Sequence, residues 1–192
     1  MRRLFVALAM PEAESEKLSS LLHGVPDARW VDPENFHLTL RFIGEVDGGV
    51  AEEIVGSLSR IRVPSFTLEL AGLGHFESRG RLRALWVGAR ENAELAGLQR
   101  KVEAAVVAAG VAPERRKFKP HVTLARFSGT PVGVAGPYIA THASIHLEPF
   151  EVESFTLFES KLGRGGPTYF PEFEVPLVLS ATPTEPSTLA QR

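Results

Sequence analysis

The chain has 192 residues, 44% of them hydrophobic, with a net charge of −2 and no cysteine. This size and apolar content suit a single domain, which we expect to cover residues 1–179, followed by a flexible tail over 180–192 that shows no periodicity. The small net charge excludes a general positive field for nucleic acid, so any polyanion needs a local cluster of Arg and Lys. The lack of cysteine excludes disulfides, thiolate nucleophiles and cysteine-bound metals. Any chemistry therefore depends on His, carboxylates, hydroxyls and cations.

The first half of the chain alternates predicted strands and helices. The apolar stretch 3–9 predicts a strand, because it is too short for the apolar region of a secretory signal. Pro11 and the acidic residues after it predict a helix that runs to about His23 and is ended by Gly24. A strand pair interrupted by "DPEN" follows, with its second strand over 36–43. The apolar spacing of "GGVAEEIVGSLSRI" then predicts a second helix.

The second half repeats a similar order of elements. The run "ENAELAGLQRKVEAAVVAAG" predicts a long helix with Gly110 past its end. The basic loop "PERRKFKP" leads directly from this helix into another apolar strand, which contains His121. The remaining predicted strands cover 65–71, 82–89, 150–160 and 169–178, with a polar turn near Ser78 to Gly80.

This order of elements predicts the fold class. No parallel series of strands with a Gly-rich phosphate loop is present, so we expect an α+β fold. We expect it to be bilobal, with two similar lobes of antiparallel sheet, helices packed outside and a central cleft. No apolar stretch approaches the about 20 residues that cross a membrane. We therefore expect a soluble, cytoplasmic monomer with no membrane partner.

Each half contains the same short motif, "HLTL" within "NFHLTLRFIGEV" and "HVTL" within "KFKPHVTLARF". Because side chains alternate along a strand, one face of the first copy is apolar and the other is polar. The predicted core residues are Phe36, Leu38, Leu40 and Phe42 in the first copy, and Val122 and Leu124 in the second. The predicted open face carries His37, Thr39 and Arg41 in the first copy, and His121 and Thr123 in the second. Arg126 falls on the core side unless the strand ends or bulges before it.

The duplication gives these residues a chemical meaning. A single histidine on a strand is most often a hydrogen-bonded residue without chemistry, but two facing copies supply a base and an acid near neutral pH. Threonine hydroxyls can donate to non-bridging phosphate oxygens, and nearby cations neutralise charge that builds on phosphorus. An in-line displacement at phosphorus needs a base on one side and an acid on the other. The pattern therefore favours phosphoryl chemistry that needs neither a metal nor another cofactor.

The paired motifs, the start "RLFVAL", the run "NFHLTLRFIGEV" and the late "SKLGRGGPTY" together resemble the two-histidine (2H) phosphoesterases. The resemblance is strongest to the RNA 2',3'-cyclic phosphodiesterases once called 2'-5' RNA ligases. It covers nearly all of residues 2–178 and implies a bilobal α+β fold. It also implies hydrolysis of a terminal 2',3'-cyclic phosphate of RNA to a 2'-phosphate, with reverse 2'-5' ligation as a side reaction.

The resemblance also implies roles for individual residues. His37 would be the proton donor to the departing 3' oxygen, and His121 the acceptor that activates water. Thr39 and Thr123 would hold the phosphate, and Arg126 would be a further phosphate contact. The two motifs are near copies, so the residues alone do not distinguish the roles of the two histidines.

Other residues have weaker signals. The cluster "RRKFK", which includes Lys119, leads straight to His121 and predicts a track for RNA phosphates, whereas "RGRLR" at 79–83 is equally consistent with a solvated face. Tyr169 and Phe158 are candidates for stacking on the terminal base. His142 and His146 have the four-residue spacing of a zinc site on a helix, but no third ligand is evident. His23 and His75 are interpreted as helix-end and turn residues.

Two alternative functions remain open from the sequence. The protein could bind RNA ends that carry a 2'-phosphate or cyclic phosphate without turnover. It could instead be a phosphodiesterase for small cyclic phosphates, such as cyclic nucleotides.

Overall fold

The computed structural model describes residues 1–163 and 166–179. The strands in this part of the chain are β1 (Arg2–Ala9), β2 (Arg29–Trp30), β3 (His37–Val46), β4 (Phe66–Leu68), β5 (Leu70–Ser78), β6 (Arg81–Ala89), β7 (His121–Arg126), β8 (Phe150–Val152), β9 (Ser154–Gly163) and β10 (Gly166–Pro176). The α-helices are α1 (Glu12–Ser19), α2 (Gly48–Leu58), α3 (Ala93–Ala108) and α4 (Gly136–Thr141). Short 3-10 helices cover Pro33–Asn35 and Val132–Ala135. The predicted tail over 180–192 lies outside the described residues.

The larger sheet places the two motif strands side by side near its middle. Its strand order is β10-β9-β1-β3-β7-β6-β5, with β2 paired to β7, and the strands of each pair are antiparallel. The motif strands β3 and β7 are registered through the pair Leu38 and Val122. Strands β4 and β8 form a second, two-stranded sheet. These features confirm the predicted α+β class with antiparallel sheet, while the division into two lobes around a cleft stays a prediction.

The hydrophobic core lies on one face of the motif strands. One buried cluster contains the apolar residues of both motifs, Leu38, Leu40, Val122 and Leu124. The apolar faces of α2 and α3 contribute further residues to the same cluster, namely Ile54, Leu58, Leu95, Leu98, Val102 and Val106. Asp47 and Asn92 cap these two helices by accepting hydrogen bonds from the backbone amides of Val50 and Leu95. The helices therefore cover the apolar face and leave the histidine face of both strands accessible.

Both motif strands carry a β-bulge at the last leucine of the motif, Leu40 in β3 and Leu124 in β7. In β3 the register with β1 passes from Thr39 to Arg41, and in β7 the register with β6 passes from Thr123 to Ala125. Leu40 and Leu124 are the extra residues, and an extra residue reverses the alternation of side chains beyond it. The same local geometry thus recurs in both halves of the chain.

The bulges correct two predictions from strict alternation and resolve a third. Arg41 was predicted on the open face but is buried, with 6% exposure, and Phe42 was predicted in the core but is 39% exposed. Arg126 is exposed at the end of β7, because the bulge at Leu124 returns it to the open face. The phase of the alternation therefore changes after the leucine in each motif.

Several element boundaries also differ from the predictions. Helix α1 ends at Ser19 rather than His23, since the hydroxyls of Ser19 and Ser20 bond back to carbonyls of the last turn. Strand β5 was missed between 72 and 78 because its glycines obscure the alternation of apolar residues. Helix α4 was not predicted, and the predicted strand 150–160 is interrupted between β8 and β9.

The hairpin between β5 and β6 turns at Arg79 and Gly80, which have φ values of 54° and 70°. Positive φ at both central residues is the requirement of a type I′ hairpin turn. The polar turn predicted near these residues is confirmed. In the described part of the chain, no helix is long and apolar enough to cross a membrane.

Candidate active site

The two motif histidines begin adjacent strands. His37 is the first residue of β3 and His121 the first residue of β7. Because Leu38 and Val122 are antiparallel partners, His37 lies toward Thr123 and Thr39 lies toward His121. The two imidazoles therefore occupy opposite corners of a four-residue arrangement, with a threonine beside each of them. A group bound at its centre would have a histidine on each side.

Each imidazole is held by a hydrogen bond from Nδ1 to the backbone carbonyl two residues before it. Nδ1 of His37 lies 2.7 Å from the carbonyl oxygen of Asn35, and Nδ1 of His121 lies 2.6 Å from the carbonyl oxygen of Lys119. A carbonyl oxygen only accepts, so Nδ1 must carry the hydrogen in each ring. This leaves Nε2 of both rings to take or give a proton.

The ring of His37 packs between aromatic side chains. Its centroid lies 4.9 Å from that of Phe5 and 5.1 Å from that of Tyr169, which meets it edge-on. Burial lowers the pKa of His37 from 6.5 to about 4, and the positive charges of Arg126 and His121 act in the same direction. His37 is consequently neutral at pH 7 in the unliganded protein.

The ring of His121 is flanked by a second aromatic pair and a cation. Its centroid lies 4.9 Å from that of Phe76 and 5.8 Å from that of Trp86. The Nζ atom of Lys119 lies over the ring of Trp86 at 4.4 Å and over that of Phe76 at 5.3 Å. Burial lowers the pKa of His121, and the charges of Lys119 and Arg126 lower it further. Both imidazoles therefore favour the uncharged form before an anion binds.

A cavity of about 740 Å³ opens over this face of the sheet. The predicted residues that line it are His37, Thr39, Arg41, Lys119, His121, Arg126 and Tyr169. Thr123 was also predicted for this site; it is partly buried beside the cavity but is not part of its lining. Among the residues that the structure describes, neither threonine hydroxyl has a hydrogen-bond partner, so both remain available to a phosphate oxygen.

Arg41 does not face the phosphate position as the alternation had predicted. Its guanidinium forms an ion pair with Glu103 and donates to the carbonyl oxygens of Phe42 and Ala112. These contacts join β3 to α3 and to the loop that leads to Lys119. Arg41 therefore connects the two halves of the chain through an ion pair and hydrogen bonds. Part of its side chain also lines the cavity.

Arg126 is better placed for a bound anion. It lines the cavity, it is exposed, and its charge acts on the pKa of both His37 and His121. Within residues 1–163 and 166–179 it has no carboxylate partner. A free guanidinium within electrostatic reach of both imidazoles suits a phosphate held between them.

The weaker sequence candidates lie in other surroundings. Phe158 stacks on Phe5 at 5.2 Å and is not part of the cavity lining. Nδ1 of His142 donates to the carbonyl oxygen of Tyr138 at 2.9 Å, and Nδ1 of His146 lies 2.9 Å from a carboxylate oxygen of Glu69. In the described chain, no group of three or more metal-binding side chains is present.

Some cavity residues were not identified from the sequence. Phe42, which was predicted in the core, and Phe118, which belongs to the cluster "RRKFK", also line the cavity. Arg3, Phe76 and Ser160 line it without a predicted role, and Trp86 supports its wall. They come from separate strands and loops and share no motif, so only the sheet order brings them together. Arg3 was within the quoted start of the chain, and its guanidinium lies 5.1 Å from the centre of the Phe42 ring.

The family model described as LigT like Phosphoesterase matches the chain twice, over residues 8–86 and 87–169, with one motif in each match. The chain therefore belongs to the LigT-like phosphoesterases, a family of the two-histidine superfamily. This confirms the resemblance drawn from the duplicated motif. The repeated match also agrees with the recurring bulge and hydrogen bond of the two histidine strands.

The relatives of this chain include proteins named RNA 2',3'-cyclic phosphodiesterase. The protein from Aeropyrum pernix is 42% identical over 159 residues, which cover 81% of this chain and 90% of that protein. The protein from Archaeoglobus fulgidus is 32% identical and covers 87% of this chain and 96% of its own length. The crystal structure of E. coli LigT without ligand has a TM-score of 0.77 at 30% identity and covers 92% of this chain and 98% of that one. The same protein with 3'-AMP has a TM-score of 0.75 at 28% identity, with the same coverage.

Proposed function

We propose that this phosphoesterase hydrolyses the terminal 2',3'-cyclic phosphate of RNA to a 2'-phosphate, as an RNA-processing enzyme. The observation that carries the proposal is the pair of imidazoles on adjacent strands, each with Nδ1 bonded to a carbonyl oxygen and Nε2 left for proton transfer. The names of the relatives support the substrate class.

In the proposed reaction, a water oxygen attacks phosphorus while Nε2 of His121 accepts the water proton. The bond between phosphorus and the 3' oxygen breaks, and the 3' oxygen takes a proton from Nε2 of His37. The products are a 2'-phosphate and a free 3'-hydroxyl, with His121 protonated and His37 neutral. Exchange of protons with solvent restores the starting state. The diagonal placement of the rings supports this in-line geometry.

The same site supplies groups for the phosphate oxygens. The free hydroxyls of Thr39 and Thr123 would donate to the two non-bridging oxygens, and Arg126 would balance the charge that accumulates on them. The anion would also raise the pKa of both imidazoles, which gives His37 the proton that it must donate. Lys119 is proposed as a further source of positive charge beside His121, and stacking of a base on Tyr169 stays a prediction.

The 2'-5' ligation reaction would use the same groups. A 5'-hydroxyl in place of water would attack the cyclic phosphate and form a 2'-5' linkage, with the same transfer of protons. Hydrolysis should dominate, since a second RNA strand must be held in position to compete with water.

Phosphorus NMR tests the proposed function directly. The protein is incubated in EDTA with an oligonucleotide that ends in a 2',3'-cyclic phosphate, and the signal of the 2'-phosphate is followed. We expect the unsubstituted protein and His23→Ala, a control at an exposed histidine outside the cavity, to form product. His37→Ala and His121→Ala should each lose activity by on the order of 10²-fold or more. An unchanged cyclic signal with the unsubstituted protein would contradict the proposal.

A second candidate function is hydrolysis of small 2',3'-cyclic nucleotides. The related E. coli LigT has been crystallised with 3'-AMP, a mononucleotide. Rates measured on nucleoside 2',3'-cyclic phosphates and on oligonucleotides with the same end separate the two substrates. The His37→Asn and His121→Asn variants separate catalysis from a pure RNA-end binding function, because binding alone would survive these changes.

A further inference from the structure

Two arginines lie directly opposite each other at the edge of the cavity. Strand β2 pairs with β7 so that Arg29 faces Arg126 and Trp30 faces Ala125. Both arginines are exposed, and in the described ranges neither has a carboxylate partner. Like charges directly opposite on neighbouring strands destabilise a sheet. An anionic group bound between or along the two side chains would relieve this repulsion.

The strand that carries Arg29 is anchored in the protein. Trp30 packs against the second apolar cluster, and its ring lies 6.1 Å from that of Tyr138. The backbone amide of Val31 also donates to the carbonyl oxygen of Leu124 at 2.8 Å. Because Trp30 points into this cluster, alternation places Arg29 on the other face, which is the face of Arg126.

The positions of the two arginines differ with respect to the reacting phosphate. Arg126 lines the cavity and its charge reaches both imidazoles, whereas Arg29 lies one strand further out and is not part of the lining. Neighbouring strands are about 4.8 Å apart. A substrate group that extends from a phosphate beside Arg126 toward β2 would therefore come within reach of Arg29.

We propose that Arg29 binds the phosphate on the 5' side of the terminal nucleoside, and that this contact makes the enzyme prefer an RNA chain end to a nucleoside cyclic phosphate. The proposal rests on the proposed function. A 2',3'-cyclic phosphate is the 3' end of a chain, so the next anionic group of the substrate is the 5' phosphate of the same nucleoside. A guanidinium recognises such a group with two parallel hydrogen bonds.

The test compares two substrates that differ only in this group. The hydrolysis rates of adenosine 2',3'-cyclic phosphate with and without a 5'-phosphate are measured for the unsubstituted protein, for Arg29→Gln and for Arg60→Gln. Arg60 is an exposed arginine outside the cavity, so its variant controls for the loss of one positive charge. We expect the 5'-phosphate to lower KM by on the order of 10-fold in the unsubstituted protein and in Arg60→Gln.

Arg29→Gln should lose this preference while kcat and the kinetics on the substrate without a 5'-phosphate stay unchanged. A preference that persists in Arg29→Gln would overturn the proposal, as would an equal loss of activity on both substrates. If the unsubstituted protein hydrolyses neither mononucleotide, the proposed function is decided by the oligonucleotide measured by phosphorus NMR, and the role of Arg29 is decided by binding.

In that measurement, fluorescence anisotropy follows the binding of an oligonucleotide that ends in a 2'-phosphate at several salt concentrations. Arg29→Gln should bind more weakly, and its log–log salt slope should be smaller by about 0.7, the value for one phosphate contact to a single strand. The same affinity and slope as in the unsubstituted protein would overturn the proposal.

Discussion

The ammonium group of Lys119 lies 4.4 Å from the centre of the Trp86 ring, and the carbonyl oxygen of the same lysine accepts the Nδ1 hydrogen of His121. Lys119 thus acts on His121 in two ways, through its backbone and through its charge. The equivalent residue beside His37 is Asn35, whose carbonyl makes the same hydrogen bond but whose side chain is neutral. The two histidines therefore share a backbone contact and differ in local charge.

The charge of Lys119 can be removed without loss of its carbonyl. In Lys119→Met the pKa of His121 should rise, because a nearby cation disfavours the imidazolium form. The measurement is a proton NMR titration of the histidine ring signals in the unliganded protein. Lys117→Met is the control, since Lys117 also lines the cavity but is not a cause of the His121 shift. An equal pKa of His121 in the two variants would show that the ammonium group of Lys119 has no electrostatic effect on this imidazole.

The pH dependence of activity follows from the two lowered pKa values. The reaction needs one imidazole protonated and the other neutral, so kcat/KM should peak between the pKa values of the pair in the free enzyme. Both lie below 6.5, with that of His37 at about 4, so the optimum of kcat/KM should lie on the acidic side of pH 6.5. A bound phosphate raises both pKa values, and the optimum of kcat should be higher. An optimum of kcat/KM above pH 7 would contradict the low pKa values.

Removal of the partner of Arg41 should destabilise the fold. In Glu103→Ala the buried guanidinium loses its ion pair with Glu103 and keeps only the longer one, at 3.9 Å, with Glu114. The backbone amide of Glu114 also loses an acceptor at 2.9 Å. We expect a loss of about 3 kcal/mol in the free energy of unfolding, seen as a lower midpoint in urea. Glu91→Ala, at an exposed residue outside this network, should change it by less than about 0.5 kcal/mol. Equal urea midpoints for the two variants would show that the ion pair of Arg41 and Glu103 contributes little to the free energy of unfolding.

Gly74 is required by the position of Trp86. A Cβ atom at Gly74 would lie 2.2 Å from the indole ring, so Gly74→Ala must displace a side chain that supports the wall beside His121. We expect destabilisation of about 2 kcal/mol, a change in tryptophan fluorescence and a lower kcat. Gly48→Ala places its methyl group in open space and serves as the control. Unaltered fluorescence and activity in Gly74→Ala would mean that the indole moves at no cost.

The central part of this fold could be predicted because its signals are local and repeated. The motif strands, α2 and α3 have clear periodicity, and the duplicated motif indicated two histidines that act together. The family model agrees, since it matches once in each half. The adjacency of β3 and β7 was not predicted, because the pairing of Leu38 with Val122 is a property of sheet order.

The bulges could not be predicted, because an extra residue depends on the register with a neighbouring strand. Strict alternation therefore assigned Arg41 to the open face and Phe42 to the core, the reverse of their observed positions. The pairing of Arg29 with Arg126 is likewise a property of sheet order, since β2 has two residues and no pattern of its own. Strand β5 and helix α4 were missed because glycines and short length weaken periodicity.

The buried guanidinium of Arg41 makes the two repeats non-interchangeable. Ala125 occupies the equivalent position after the bulge in the second repeat, whereas the acceptors of Arg41 include Glu103 and Ala112, both within the second match of the family model. Two copies of the second repeat would leave Glu103 without a guanidinium. The first repeat alone would lack these acceptors for a buried charge. Although the two halves retain the marks of a duplication, this contact makes the stability of each depend on the other.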